Sequence, residues 1–326
     1  MPICTYHLLQ EKQTMQTSAT AEEYRQLDAV FKQLDSIVIG KSKELRLAFA
    51  TLLAGGHLLV EDIPGVGKTT LARSLAATLD LAWNRVQFTS DLLPADVIGI
   101  SIFDVQKQNF QFHEGPVFTS LLLADELNRA PPKTQSALLE AMEEHQVTAD
   151  GNTYSLSKPF FVIATQNPLE QLGVYPLPES QLDRFMVSID LGYPDTHSER
   201  EILAGTDRRD LLDNIQPVIG TDSLLFWQAK AKQVHTAPEV LDYVQALLAA
   251  TRDMALNGRC GAGLSPRAGL SLIAMCKAWA LLHGRDMVLP NDVQDVFTSV
   301  AAHRIAGSLR KGLPLTRELL TTVDIS

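Results

Sequence analysis

Along His57-Leu-Leu-Val-Glu-Asp-Ile-Pro-Gly-Val-Gly-Lys-Thr-Thr70, an apolar run enters a Pro/Gly turn, and Leu71-Ala-Arg-Ser-Leu-Ala76 continues with helical character. Strand, Gly-rich turn and helix is the setting in which Gly-Lys-Thr reads as a phosphate-binding loop. Gly65 and Gly67, on either side of Val66, let backbone N–H groups point inward around a polyphosphate. The N-terminus of the following helix adds partial positive charge. Lys68 then reaches the β- and γ-phosphates, the Thr69 hydroxyl ligates Mg²⁺, and Thr70 completes the cradle in the same turn. The loop departs from the strict pattern G-x-x-x-x-G-K-[ST], which asks for Gly where this chain has Asp62. A carboxylate facing a phosphate would repel it, so Asp62 is expected to turn away and bond to the loop's own backbone.

The surrounding chain has 326 residues, 45% of them hydrophobic, which suggests two domains with ordinary packed cores. A net charge of −10 disfavours a broad non-specific grip on nucleic acid. Cys4, Cys260 and Cys276 show neither pairing nor metal spacing, and reduced thiols are expected. No stretch is long and apolar enough for a membrane span, and the start lacks a secretory pattern, so a cytoplasmic location is expected.

Residues 1–20 are polar and aperiodic and are expected to be a mobile tail. Helical spacing begins near Ala21 and places Tyr24, Leu27, Val30, Phe31 and Leu34 on one face. Val38 and Ile39, just before the first strand, either cover an adenine ring or serve as ordinary core; position alone does not separate the two. After a strand at Asn84–Phe88, Ser101–Phe112 alternates apolar and polar residues about a Gln106–Asn109 turn, a hairpin projecting from the domain. Leu121-Leu-Leu-Ala-Asp125-Glu126 reads as a buried parallel strand ending in two carboxylates, and ligands of open α/β sheets sit at such ends. Asp125 suits a Mg²⁺ partner and Glu126 suits polarisation of an attacking water.

A helix over Pro131–Glu144 and a second hairpin across Asp150-Gly151 follow. Phe160–Thr165 is the next buried strand, and Asn167 at its end either orients the water or is a turn residue before Pro168. Beyond Gly192–Thr196 the pattern is helical: His197–Leu203, Thr221–Gln233, Pro238–Met254, Pro266–His283 and Pro290–Ala306. Ser265 and Pro266 cap the fourth of these and fix Arg267 in a first turn, where the helix dipole disfavours a cation. The expected organisation is a tail (1–20), an α/β nucleotide domain (21–191), a linker (192–220) and a helical lid (221–326).

Together these segments resemble the MoxR family of AAA+ ATPases, of the helix-2-insert branch, from about Val38 to His303. Residues 53–69 look like its Walker A region. Asp125-Glu-Leu-Asn-Arg-Ala-Pro-Pro132 is similar to its Walker B strand, and Ala164-Thr-Gln-Asn-Pro168 to sensor 1. Leu177-Pro-Glu-Ser-Gln-Leu-Asp-Arg-Phe185 resembles the arginine-finger segment and Leu264-Ser-Pro-Arg-Ala268 resembles sensor 2. The resemblance implies a P-loop core with a five-stranded parallel sheet, inserted hairpins and a small all-α lid, with ATP and Mg²⁺ between them. It implies that Arg184 reaches a neighbour's γ-phosphate in a ring, commonly a hexamer, and that Arg267 reaches the γ-phosphate from the lid. It also implies chaperone-like work on a protein client, often with a von Willebrand A domain partner. A nucleic-acid motor and a metal-chelatase subunit share these elements. Against the motor, Ser101–Phe112 carries Lys107 as its one base, opposed by Asp104.

Overall fold

The computed structural model describes residues 24–167, 173–205 and 208–325. The expected tail, 1–20, lies outside them. Helices α1 (24–37) and α2 (Ser42–Leu53) lead into β1 (Leu58–Glu61), the phosphate loop and α3 (Lys68–Thr78). Strands β2 (Trp83–Gln87), β5 (Leu121–Asp125), β8 (Phe161–Gln166) and β9 (Val187–Ile189) join β1 in one parallel sheet of order β2-β5-β8-β1-β9.

Both faces of this sheet are covered, so its central strands are apolar until their carboxyl ends and sort their side chains by alternation. Leu58, Val60, Leu121, Leu123, Phe161 and Ile163 belong to one core cluster; Leu59, Leu122, Ala124, Val162 and Ala164 belong to the other. The second cluster is closed by α5 (Pro132–Glu144), whose Leu138, Leu139 and Met142 are buried.

Two antiparallel hairpins interrupt the βα alternation. The first pairs β3 (Gly99–Asp104) with β4 (Asn109–Glu114) after the short helix α4 (Pro94–Ile98); the second pairs β6 (Gln146–Ala149) with β7 (Asn152–Ser155). They touch through Phe112 and Tyr154, whose rings stack with centroids 4.0 Å apart.

From residue 196 onward the described chain is helical: α7 (Thr196–Ala204), α8 (Arg208–Asp213), α9 (Thr221–Gln233), α10 (Pro238–Leu256), α11 (Pro266–Leu282), α12 (Pro290–Ala306) and α13 (Leu309–Thr322); the one-turn α6 (Glu179–Leu182) precedes β9. The stretch expected as a linker thus carries α7 and α8. Helix α13 has no counterpart in the helices read from the sequence, because Gly312 and Pro314 punctuate it. Its Gly312 allows close crossing, since a Cβ there would run into the Ala302 backbone of α12.

The helical bundle is not a separate body with its own core. Its Trp227, Met275 and Trp279 belong to the same buried cluster as Phe31, Phe49 and Leu52. Gln228 donates to the Leu52 carbonyl at 2.7 Å across the same boundary.

Candidate functional site

Two clefts that share no lining residue hold most of the residues singled out above. The first, of about 390 Å³, is lined by Pro64, Gly65, Gly67 to Thr70, Arg85, Gln87, Asp125, Glu126 and Asn167. Gly65 and Gly67 have φ of +84° and +96°, the left-handed region that favours glycine. A Cβ at either would meet nothing within 4 Å, so backbone conformation rather than crowding selects glycine there. That open space in front of the α3 N-terminus is the setting in which N–H groups take an anion.

Asp62 behaves as expected and goes further. It is fully buried, its Oδ1 accepts from the Ile63 N–H at 2.7 Å, and its Oδ2 accepts from Leu191 and Gly192, both at 2.6 Å. The carboxylate therefore ties the loop to the chain leaving β9. Lys68 is half-buried; its Nζ donates to the Asp62 carbonyl at 2.9 Å, which keeps the ammonium across the loop. Val66 packs on the larger core cluster, Val38 belongs to that cluster, and Ile39 is half-buried; none of the three lines this cleft.

At the sheet's carboxyl edge one hydroxyl organises both acids. Thr165 donates to Asp125 Oδ1 at 2.6 Å and accepts from the Glu126 N–H at 2.9 Å. Glu126 sits at φ +56°, an uncommon conformation for a non-glycine residue, and this bond helps to hold it. Each acid also has a cation: Arg85 Nη2 lies 2.6 Å from Asp125 and Arg129 Nε 3.1 Å from Glu126. Asn167, at the end of β8, is buried beside them. Thr69 and Asp125 are suited to hold Mg²⁺, which binds proteins through one or two carboxylates together with substrate phosphates. Among the described residues no group of three His, Cys, Asp or Glu is gathered as a metal cage.

Arg184 and Arg267 line the second cleft with Gly55, Gly56, His57 and Glu143. Arg184 Nη1 lies 2.8 Å from one oxygen of Glu143 and donates to the Leu139 carbonyl at 2.6 Å; Arg267 Nη2 pairs with the other oxygen of Glu143. Arg267 thus lies at the second cleft and does not line the phosphate cleft of its own chain.

The cause lies in the caps and clamps around it. Ser265 caps α11 by accepting from the Ala268 N–H and donates to Asp183 at 3.2 Å, which docks the Arg267 turn against the Arg184 segment. Arg304 of α12, 4% exposed, bonds Asp183 through Nε at 2.7 Å and also donates to the carbonyls of Asp183, Phe185, Met186 and Val300.

Two histidines brace this side. His57 accepts from the Val162 N–H at Nδ1 (3.0 Å), which leaves Nε2 to donate to the Met142 carbonyl at 3.2 Å. That pairing needs the neutral ring, and burial pulls its pKa from 6.5 to about 4. His303 shares the Phe185 carbonyl with Arg304 and is likewise held well below 6.5, chiefly by burial.

Thr165, Arg85, Glu143, Asp183 and Arg304 were not anticipated as site residues. Thr165 required the β5–β8 register, in which Ala124 stands beside Ala164. Arg304 carried one usable signal, a cation within the otherwise mainly apolar run Val300-Ala-Ala-His-Arg-Ile-Ala306, yet its partner lies 121 residues earlier.

Comparison with known proteins agrees with this geometry. Residues 57–187 match the model of the ATPase family associated with various cellular activities (AAA), and residues 255–320 match that of the AAA lid domain. The chain is 42% identical over 279 residues to the Bacillus subtilis protein YeaC, covering 86% of each. It is 39% identical over 291 residues to the Mycobacterium tuberculosis chaperone MoxR1, covering 87% of this chain and 77% of that one. A crystal structure of a proposed ATPase from Cytophaga hutchinsonii superposes with a TM-score of 0.84 at 36% identity, over 97% of this chain and 99% of that one. On its loop, sheet, lid and relatives together, the chain belongs to the MoxR family of AAA+ ATPases.

Proposed function

We propose that this chain is a ring-forming Mg-ATP hydrolase that remodels a protein client, with each hydrolytic site completed by the next chain. The observation that carries the shared site is the separation of the clefts: Lys68, Asp125, Glu126 and Asn167 line one, while Arg184 and Arg267 line the other. Phosphoryl transfer needs charge neutralisation around the γ-phosphate, and an arginine supplied in trans is a recurrent source of it.

In this reading Gly65–Thr70 cradle the phosphates and Lys68 leaves the Asp62 carbonyl for the β- and γ-oxygens. Ile39, half-buried, and Val38 of the core are assigned to the adenine. Thr69 and Asp125 would hold Mg²⁺, which would supply positive charge to the phosphates. Asn167 orients a water and Glu126 takes its proton as its oxygen bonds to the γ-phosphorus; the bridging P–O bond breaks and its electron pair leaves with ADP. Thr165 keeps Glu126 aimed while Arg129 is displaced from it.

A protein client is favoured over nucleic acid by the first hairpin. It exposes Ile102, Phe103, Val105 and Phe110, and its Lys107 lies 3.8 Å from Asp104. The Mycobacterium relative is named a chaperone, and the same role is extended here to this chain, in a hexamer with a von Willebrand A domain partner as the family resemblance suggests.

The test is complementation. Arg184→Ala and Glu126→Gln should each abolish turnover alone. Mixed in equal amounts under subunit exchange, they should restore roughly a quarter of parental activity, since an intact cleft must meet an intact arginine face. Exchange without recovery overturns the shared site.

A further inference from the structure

We propose that Glu143 is a positioning residue for the hydrolysis: its carboxylate holds Arg184 and Arg267 side by side as one cationic fork, presented to the γ-phosphate of the adjoining chain. The proposal rests on the shared-site reading above.

Two guanidinium groups that must converge on one phosphate repel each other before it arrives. Left alone, each would also sample many rotamers, and both costs would fall on the catalytic step. Glu143 addresses both. One of its oxygens takes Arg184 Nη1 at 2.8 Å and the other takes Arg267 Nη2, so a single negative charge lies between two positive ones. Arg184 is fixed at a second point by the Leu139 carbonyl, one turn earlier on the same helix α5. The fork therefore stands on a helix rather than on a loop, and helices hold such geometry more closely.

The donors left over point to a function beyond a surface ion pair. Within the described residues Glu143 and Leu139 engage Nη1 of Arg184 and Glu143 engages Nη2 of Arg267. Arg184 keeps Nε and Nη2, and Arg267 keeps Nε and Nη1, on side chains 30% and 49% exposed. Those N–H groups are the ones a phosphate from outside can use, with Glu143 staying in place. Beneath the side chains a second carboxylate repeats the device for the backbone. Asp183 bonds Arg304 with one oxygen and Ser265 with the other, so the segment bearing Arg184 and the turn bearing Arg267 move together. Glu143 aligns the heads; Asp183 aligns their bases.

The experiment is Glu143→Gln in the full chain, assayed for steady-state ATP hydrolysis and in mixed rings. Exposed ion pairs contribute little to folding, so the variant should fold as the parent does. Loss of alignment should lower kcat by roughly 10–10²-fold, with KM for ATP unchanged, because the phosphate cleft is untouched. Because the defect lies on the arginine-donating face, mixing with Glu126→Gln should recover activity, as mixing Arg184→Ala with Glu126→Gln does. A parental or raised kcat, or a raised KM at parental kcat, overturns the proposal. Recovery by the Arg184→Ala mixture but not by the Glu143→Gln mixture also overturns it and leaves the shared site standing. Failure of both mixtures removes the shared site and this proposal with it.

Discussion

The phosphate cleft draws its residues from the loop and helix start that follow β1 and from three neighbouring parallel strands, β2, β5 and the end of β8. The arginine cleft draws Glu143, Arg184 and Arg267 from a helix end, a short loop and the first turn of α11, and joins them through Asp183 and Arg304. Backbone geometry positions the first: two positive-φ glycines and a strand register place the donors before any side-chain network forms. Side chains position the second, over sequence separations of 124 residues (Arg267 to Glu143) and 121 residues (Arg304 to Asp183). Perturbations of packing and charge should therefore reach the arginine cleft first, and changes to the loop should reach nucleotide binding alone.

Acid gives the largest expected separation. In the unfolded chain His57 binds a proton near pH 6.5, whereas in the fold it resists until about 4. Between those values the unfolded chain holds more protons, so stability is full above 6.5 and falls as pH drops toward 4. The loss attributable to His57 approaches about 3 kcal/mol, and His303 adds to it in the same direction. Urea midpoints between pH 7.5 and 4.5 should show that fall, with amides around Met142 and Phe185 exchanging before those of β1 and β5. A flat profile would break the contrast.

Lys68→Ala should weaken ATP binding roughly 10–100-fold, the range of a lost hydrogen bond to a charged group. Calorimetry on Arg184→Ala should show parental affinity beside it. Equal losses in the two variants would mean that the clefts are one site. The smallest effect belongs to Ser265→Ala, which removes the α11 cap and the bond to Asp183. It should cost about 1 kcal/mol of stability and lower kcat with KM unchanged. A raised KM would place Ser265 with the phosphate cleft instead.

The same contrast explains what could be read from the chain alone. Gly65-Val-Gly-Lys-Thr and Leu121–Glu126 carry local signals, a turn that needs glycine and a buried run that ends in acids, and Gly65, Gly67, Lys68, Thr69, Asp125 and Glu126 line one cleft. Helices α10, α11 and α12 announced themselves through Pro at their first position, Pro238, Pro266 and Pro290. Helix α13 did not, because its Gly312 and Pro314 are tolerated through contact with α12 that no local pattern encodes. Arg267 was legible as a fixed residue but not in its direction, since Asp183 and Glu143, which aim it, lie far away in sequence.

The Arg304 clamp also sets an order of events during synthesis. Asp183 leaves the ribosome 121 residues before Arg304. At ordinary elongation rates that is a delay of roughly 6–24 s. Through that interval the phosphate loop and its strands are already complete, and the carbonyls of Asp183, Phe185 and Met186 still lack the guanidinium that will gather them. Under the shared-site reading, a chain still lacking α12 has not yet gathered the arginine face that it would present to a neighbour. Chains stalled before α12 should expose Leu182–Met186 to protease, and protection of that segment in them would refute this order.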